Sequence, residues 1–377
     1  MTKQTIRQHY VTAGYLAQFT LHGRRDPPFF VHSLDGKIRE ATPESIGFER
    51  HYHTIDVPDL RPDHLEGIFQ KIESPACALF KKLSENPGHE LLESEKDTLL
   101  MFFSTQAARL PQSRKTYNNL MLDCGRAFME ETAHSPEFFD TVMAIAERHG
   151  VETNSFTQEQ LREAVDGGHI FPIADRIQSA VGIFRLTEAI LDALDGMNYS
   201  IWYSDDATFV CSDYPVGMFY RLSVDDQPTN PVILKPPRIT MLTSTIFMPL
   251  SRRVAVAFHR FEGIPVAQRA NERMVAIVNS VTISHAQRFI CSPTADFVCV
   301  LPGGQLGNAK QAIETLMSCK PSVFKLTLEH RFPAHLGGRL LSTLRFLRSH
   351  RTLSTSTFSP VDAPIRHVAD PLRRSPR

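Results

Sequence analysis

A single imidazole sits among aromatic and aliphatic neighbours near the start of the chain: Gln8-His9-Tyr10-Val11, followed by Tyr15-Leu16 and Phe19. A titratable ring inside an apolar collar has its protonation equilibrium displaced, which is one way a protein makes a general base. Further polar groups can join it. Glu66 and Glu73 are spaced so that on a helix they lie within about 20° of one another, flanking the apolar stripe. Gln106 and Arg109 share one face of a nearly all-apolar helix, so at least one side of the guanidinium is buried and requires a carboxylate. Asp213, within Ser212-Asp213-Tyr214-Pro215, ends an apolar strand.

Two readings of these groups stand side by side. In the first, Glu73 or Asp213 pairs with Arg109 as a structural link between helices or between helix and hairpin. Asp213 then accepts backbone amides of its own turn, and His9 is a satisfied core histidine. In the second, the groups form a hydrolytic site with a catalytic set of His9, Glu73, Arg109 and Asp213. His9 is the general base, and Arg109 stabilises an anion developing on phosphate. Glu66, Glu73 and Asp213 hold a divalent metal ion through oxygen ligands, and Tyr10, Gln106 and Tyr214 contact substrate. Its partner would be nucleic acid or a phosphorylated small molecule. A nuclease-type Asp-x(n)-Glu-x-Lys segment, a phosphate-cradling Gly-rich loop and a nucleotide-binding fingerprint are all missing. His51-x-His53 would face one way on a strand, but no third ligand accompanies the pair.

The 377 residues are 42% apolar and 22% charged, a balance that fits a globular chain with a sizeable core and excludes a fibrous or low-complexity class. No run approaches the roughly 18 apolar residues of a membrane span, and the polar start lacks a signal-like segment, so a cytoplasmic location is expected. Cys77, Cys124, Cys211, Cys291, Cys299 and Cys319 are scattered and read as buried reduced thiols. Residues 320–377 carry eleven Lys/Arg and three Asp/Glu, against thirty and thirty-eight in the rest, so the tail is basic and the body mildly acidic. Such a tail can touch nucleic acid, an acidic membrane surface or the body itself, or remain solvated.

The elements that must position these groups are of two kinds. Asp35-Gly36 between short extended runs predicts a hairpin, and Tyr52 and Ile55 an extended piece. Helical periodicity runs through 60–195, with a restart at Ser74-Pro75 and helices over 93–110, 113–132, 136–149, 154–164 and 177–194, the last capped by Gly196. Residues 199–203 with 208–211, and 245–250 with 254–258, read as two hairpins separated by a loop at 222–240. A helix over 266–290 and a strand over 296–301 follow, then a basic amphipathic helix at 335–350 and a disordered end at 352–377. The expected fold is α+β: a predominantly helical bundle with small antiparallel β hairpins, as one domain over 1–305 and a basic extension over 306–377.

Blocks along residues 7–300 resemble the bacterial domain-of-unknown-function family 4238. They are Gln8-His9-Tyr10-Val11 with Tyr15-Leu16 and Phe19; Pro43-Glu44, Phe48-Glu49-Arg50 and Tyr52; Glu66 with Ile72-Glu73-Ser74-Pro75-Ala76; Phe103 and Gln106 to Arg109 with Pro111; Phe209 with Ser212-Asp213-Tyr214-Pro215; Met248-Pro249-Leu250-Ser251; and Asn279 with Ala286-Gln287-Arg288. His9, Glu73, Arg109 and Asp213 are the polar positions inside these blocks on which the site rests, accompanied by Glu66 and Gln106. Members often carry Pro after the His-Tyr-Val triplet, where this chain has Thr12. The resemblance implies an α+β fold and supplies no substrate, cofactor or reaction.

Overall fold

Local signals and long-range pairing contribute separately to the computed structural model, which describes residues 5–57, 60–153, 157–220 and 244–315. The loop at 222–240, the start of the 154–164 helix, Cys319, the 335–350 helix and the end at 352–377 lie outside the described residues. The chain divides after Ser318. Ala309, Ala312 and Ile313 are buried in the first unit, so its packing runs past residue 305.

In chain order the elements begin with β1 (Arg7–His9), α1 (Ala13–Ala17), β2 (Phe29–Ser33), β3 (Ile38–Ala41) and β4 (Phe48–Arg50). Six helices follow: α2 (His64–Glu85), α3 (Glu93–Ala108), α4 (Pro111–His134), α5 (Pro136–Arg148), α6 (Gln158–Asp166) and α7 (Arg176–Leu194). Then come β5 (Asn198–Tyr203), β6 (Cys211–Ser212), β7 (Gly217–Tyr220), β8 (Ser244–Pro249), β9 (Val254–His259), β10 (Ala267–Arg269), α8 (Glu272–His285), β11 (Phe289–Ser292), β12 (Cys299–Val300) and β13 (Leu306–Gly307). Helices segregated from antiparallel sheets make this an α+β fold. Among the described residues no helix is long and apolar enough to cross a membrane.

The helices start where their caps dictate. Ser135, Thr157, Asp175 and Asn271 accept backbone N–H groups of the first turns of α5, α6, α7 and α8. Pro111 and Pro136 occupy first positions, where no N–H is required. The restart expected at Ser74-Pro75 does not occur: α2 continues through Pro75. The stripe Leu65, Phe69, Ala76, Leu79, Phe80 and Leu83 stays buried on both sides of it. One continuous packing face outweighs the hydrogen bond that proline removes.

The sheets differ from the expected hairpins. The β2–β3 turn forms around Gly36 at φ +86, and β8 pairs with β9, both as read from the sequence. β5, however, pairs antiparallel with β9 and parallel with β10, giving the order β10-β5-β9-β8-β7. β6 leaves that sheet and pairs with β11 in a second one, β3-β2-β11-β6. The expected 266–290 helix is β10, then α8, and Phe289 already belongs to β11. All six residues of β9 are buried, which suits a central strand covered on both faces. Tyr52 lies in a turn rather than on a strand, since His51 adopts φ +57 and ends β4. Cys211, Cys291 and Cys299 are buried free thiols, whereas Cys77 and Cys124 are half-buried.

The aromatic collar of the N-terminal arm is the centre of the main core. Tyr15 stacks edge-on against Phe19 and Phe80, and Phe80 against Phe102 at 5.0 Å. The Tyr15 hydroxyl donates to the Pro249 carbonyl at 2.6 Å, so the ring is buried without an orphaned oxygen. Because α2 is continuous, replacing Pro75 with Ala should stabilise the protein. The helix-interior cost of about 3 kcal/mol is relieved, less about 1 kcal/mol for the freer unfolded chain. Urea denaturation measures the net gain of about 2 kcal/mol; no change would mean that α2 is broken there.

Candidate functional site

Strand alternation separates the work of the arm's side chains. β1 pairs with β4 in the register Arg7↔Arg50, Gln8↔Glu49 and His9↔Phe48. Gln8 is fully buried; its Oε1 accepts the His53 N–H at 2.5 Å and its Nε2 donates to Thr54 Oγ1 at 3.1 Å, so it holds the turn after β4. The Tyr10 and Val11 amides both donate to the Gly47 carbonyl, at 2.9 and 3.0 Å. Gly47 has φ +70, and a Cβ there would lie 2.9 Å from the Val11 carbonyl oxygen, so only glycine permits this approach. His9 is left facing Phe48, ring centroids 5.5 Å apart.

Arg109, the residue that ends α3 and is 1% exposed, is close enough to His9 to act on it electrostatically. Its Nη1 donates to Glu73 Oε1 at 2.5 Å and its Nη2 to Gln106 Oε1 at 2.6 Å. Gln106 Nε2 in turn donates to the Tyr10 carbonyl at 2.7 Å. Thr12, which caps α1, donates its hydroxyl to Glu73 Oε2 at 2.8 Å. The Arg109 carbonyl accepts from the Tyr52 hydroxyl, and the guanidinium lies over the Phe69 ring at 5.4 Å. One cation therefore joins α2, α3, the arm and the turn after β4. Buried polar atoms near it without a hydrogen-bond partner among the described residues include His9 Nε2, Glu66 Oε1 and its own Nε, with the His53 ring beside them against Phe69. Unpaired buried atoms gathered in one place are where a water or a ligand group fits.

The charges follow from this packing. Burial, and next the Arg109 charge, lower the His9 pKa to about 4 against the opposing pull of Glu73, so the imidazole is neutral at pH 7. Burial raises Glu66 to about 7, with Arg109 opposing and the Glu73 charge adding to the rise. Burial also pushes Glu73 upward, but Arg109 and the hydrogen bonds from Arg109 and Thr12 outweigh it and hold Glu73 below the ordinary range, as a carboxylate. Burial raises Cys77 to about 12, so this thiol is not a nucleophile.

Asp213 belongs to a different group. Its Oδ1 accepts the Gln287 amide at 2.9 Å and the Phe289 amide at 3.5 Å, clamping the turn into β11. It lies near the phenol end of Tyr10, where Arg288 donates to the Tyr10 hydroxyl at 3.3 Å and to Glu49 at 2.8 Å. The structure thus brings His9, Glu66, Glu73, Gln106 and Arg109 together and leaves Asp213 with Arg288. Among the described residues no group of three or more His, Cys, Asp or Glu side chains is placed to hold a metal ion. The set Glu66, Glu73 and Asp213 is not assembled, because the Asp213 carboxylate is engaged by backbone amides elsewhere. Tyr10 touches the cluster through its carbonyl and not its phenol. Tyr214 stacks on His285 at 5.7 Å, and His53 is buried between Tyr52 and Phe69 rather than paired with His51 on a strand. Thr12, Gln8 and Arg288 carry structural weight that the sequence reading missed. For Thr12 the signal was present, as a capping residue opening a short helix.

Replacing Arg109 with Leu should cost about 3–5 kcal/mol, since it leaves the Glu73 carboxylate buried and unpaired. Adding Glu73→Leu should return part of that loss, because the orphaned charge is then gone. Chemical denaturation of the singles and the double checks this; additive losses would mean that the two do not interact.

No curated protein and no solved structure matches the chain. A family model described as a protein of unknown function, DUF4238, matches residues 7–296. The match begins at Arg7 of the arm and takes in α2, α3, the Asp213 clamp and β11, so it covers every residue that touches Arg109. The chain belongs to the DUF4238 family.

Proposed function

We propose that this protein is a hydrolase with an acid–base site at His9 and Glu66, supported by the Arg109–Glu73 pair, and that it acts on a phosphodiester. What carries the reading is that two unpartnered buried atoms, His9 Nε2 and Glu66 Oε1, belong to side chains that both feel the Arg109 charge. His9 and Glu66 are half-buried as residues, while the two unpartnered atoms themselves are covered.

In this reading His9 Nε2 takes a proton from water, and the hydroxide formed attacks phosphorus. The bond from phosphorus to the leaving oxygen breaks, and protonated Glu66 gives its proton to that oxygen. Water is thereby added across the P–O bond, and both side chains return to their starting states by exchange with solvent. Arg109 supplies positive charge to the phosphoryl oxygens. Two groups with pKa values displaced in opposite directions are what such a division of labour requires. The reading sets the protein in the cytoplasm, where thiols such as Cys211 and Cys291 stay reduced.

A second reading is a non-enzymatic interaction module in which the cluster only locks the arm to the helices. The matching of both Arg109 Nη groups to Glu73 and Gln106 favours it.

The full chain should hydrolyse bis-p-nitrophenyl phosphate or a short single-stranded oligonucleotide with a bell-shaped pH profile. Activity needs His9 deprotonated, so it rises as pH passes about 4; it needs Glu66 protonated, so it falls as pH passes about 7. His9→Gln and Glu66→Gln should each lower kcat by about a hundredfold or more. Absence of turnover in the native protein, or variants that match it, would leave the interaction reading.

A further inference from the structure

The β1–β4 ribbon carries a feature that its own stability does not explain. Side chains two apart on a strand share a face, so Arg7 stands beside His9, and the register places Arg50 and Phe48 opposite them on that face. Two arginines are thus directly opposed on a ribbon of three residue pairs, an arrangement that weakens strand pairing. Both are exposed, and among the described residues neither has a carboxylate within 4.0 Å. Glu49, between them in sequence, is bound to Arg288 instead. The Arg7 guanidinium lies over the Phe48 ring at 5.1 Å, and that ring reaches His9 at 5.5 Å. Positive charge therefore continues from the ribbon to the imidazole. Arg25 adds to it: it acts electrostatically on His9, and its carboxylate partner, Glu44, is 3.9 Å away and exposed.

We propose that Arg7 and Arg50 form an anion-binding subsite beside His9 that takes a phosphate group. Two separate guanidinium groups present two planar pairs of donors, which suits the several acceptor oxygens of a tetrahedral phosphate better than the two of a carboxylate. The like-charge cost in the free ribbon is relieved when the anion arrives. Phe48 keeps Arg7 from folding away, so the fork is partly formed in advance. Phosphate binding itself does not depend on His9; only the step from binding to hydrolysis rests on the function proposed above.

The source of the phosphate is either a small phosphorylated molecule or a nucleic-acid backbone, and titration of the full chain separates them. The probes are inorganic phosphate, thymidine monophosphate and a ten-nucleotide single-stranded DNA, followed by calorimetry and by the His9 imidazole resonance. Native protein should bind, with that resonance shifting. Arg7→Gln/Arg50→Gln should weaken binding by about tenfold or more, while its melting temperature holds or rises because the repulsion is gone. Comparable affinity for the mononucleotide and the DNA identifies a small molecule; much tighter binding of the DNA, lost in the same variant, identifies a nucleic acid. Either result supports the subsite. A double variant that binds every probe like the native chain, or a native chain that binds none, overturns it. His9→Gln should bind as the native protein does yet fail to hydrolyse. If it hydrolyses normally while Arg7→Gln/Arg50→Gln loses binding, the subsite stands and the catalytic reading falls.

Discussion

A guanidinium taken out of water must be paired on nearly every donor, or the fold around it will not hold. Arg109 is that group. Glu73 answers one terminal nitrogen and Gln106 the other, and each of these partners is in turn bonded to the N-terminal arm, through Thr12 and the Tyr10 carbonyl. Four segments distant in sequence are thereby held by one charge. The arm cannot leave without exposing unpaired groups on α2 and α3, and His9 is carried into the interior as a consequence.

The arm is also fastened on its apolar side. Tyr15 and Phe19 enter the core formed with Phe80 and Phe102, while Gln8 and Gly47 hold the ribbon and the turn behind it. Polar and apolar fixings on the neighbouring residues thus hold the backbone that carries the imidazole. The Asp213 clamp works at a separate place. It ties the end of β6 to the turn into β11, and Arg288 from that turn reaches the Tyr10 phenol. Tyr10 thus stands between two polar groups, its carbonyl in one and its hydroxyl in the other.

Helices were legible because their signals are local. Leu99, Phe102 and Phe103 recur at helical spacing, and Ser135-Pro136 marks a start that the structure keeps. Ser74-Pro75 carries the same local signal, yet α2 runs through it, because burial of Phe69, Ala76 and Phe80 along one face is a tertiary effect that two residues do not reveal. Strand partners were legible only across short turns. β8 and β9 are joined by four residues, whereas β5 finds β9 about fifty residues later and β6 finds β11 farther still. For the site, the need of a buried Arg109 for a carboxylate narrowed the choice to Glu73 or Asp213. Which one it is depends on where β6 goes, and that depends on the long-range pairing. Asp213 accepts backbone amides, as its turn context suggests, but they are those of Gln287 and Phe289 and not of its own turn.

The imidazole reports on the whole arrangement, because its environment exists only while the arm is packed over Arg109. Titration of His9 by heteronuclear NMR in the full chain is therefore the most direct measurement. A pKa of about 4 in the native protein, moving toward 6.5 when Arg109 is replaced by Met, is the result this account requires. A native His9 that titrates near 6.5 would place the ring in bulk water and contradict it.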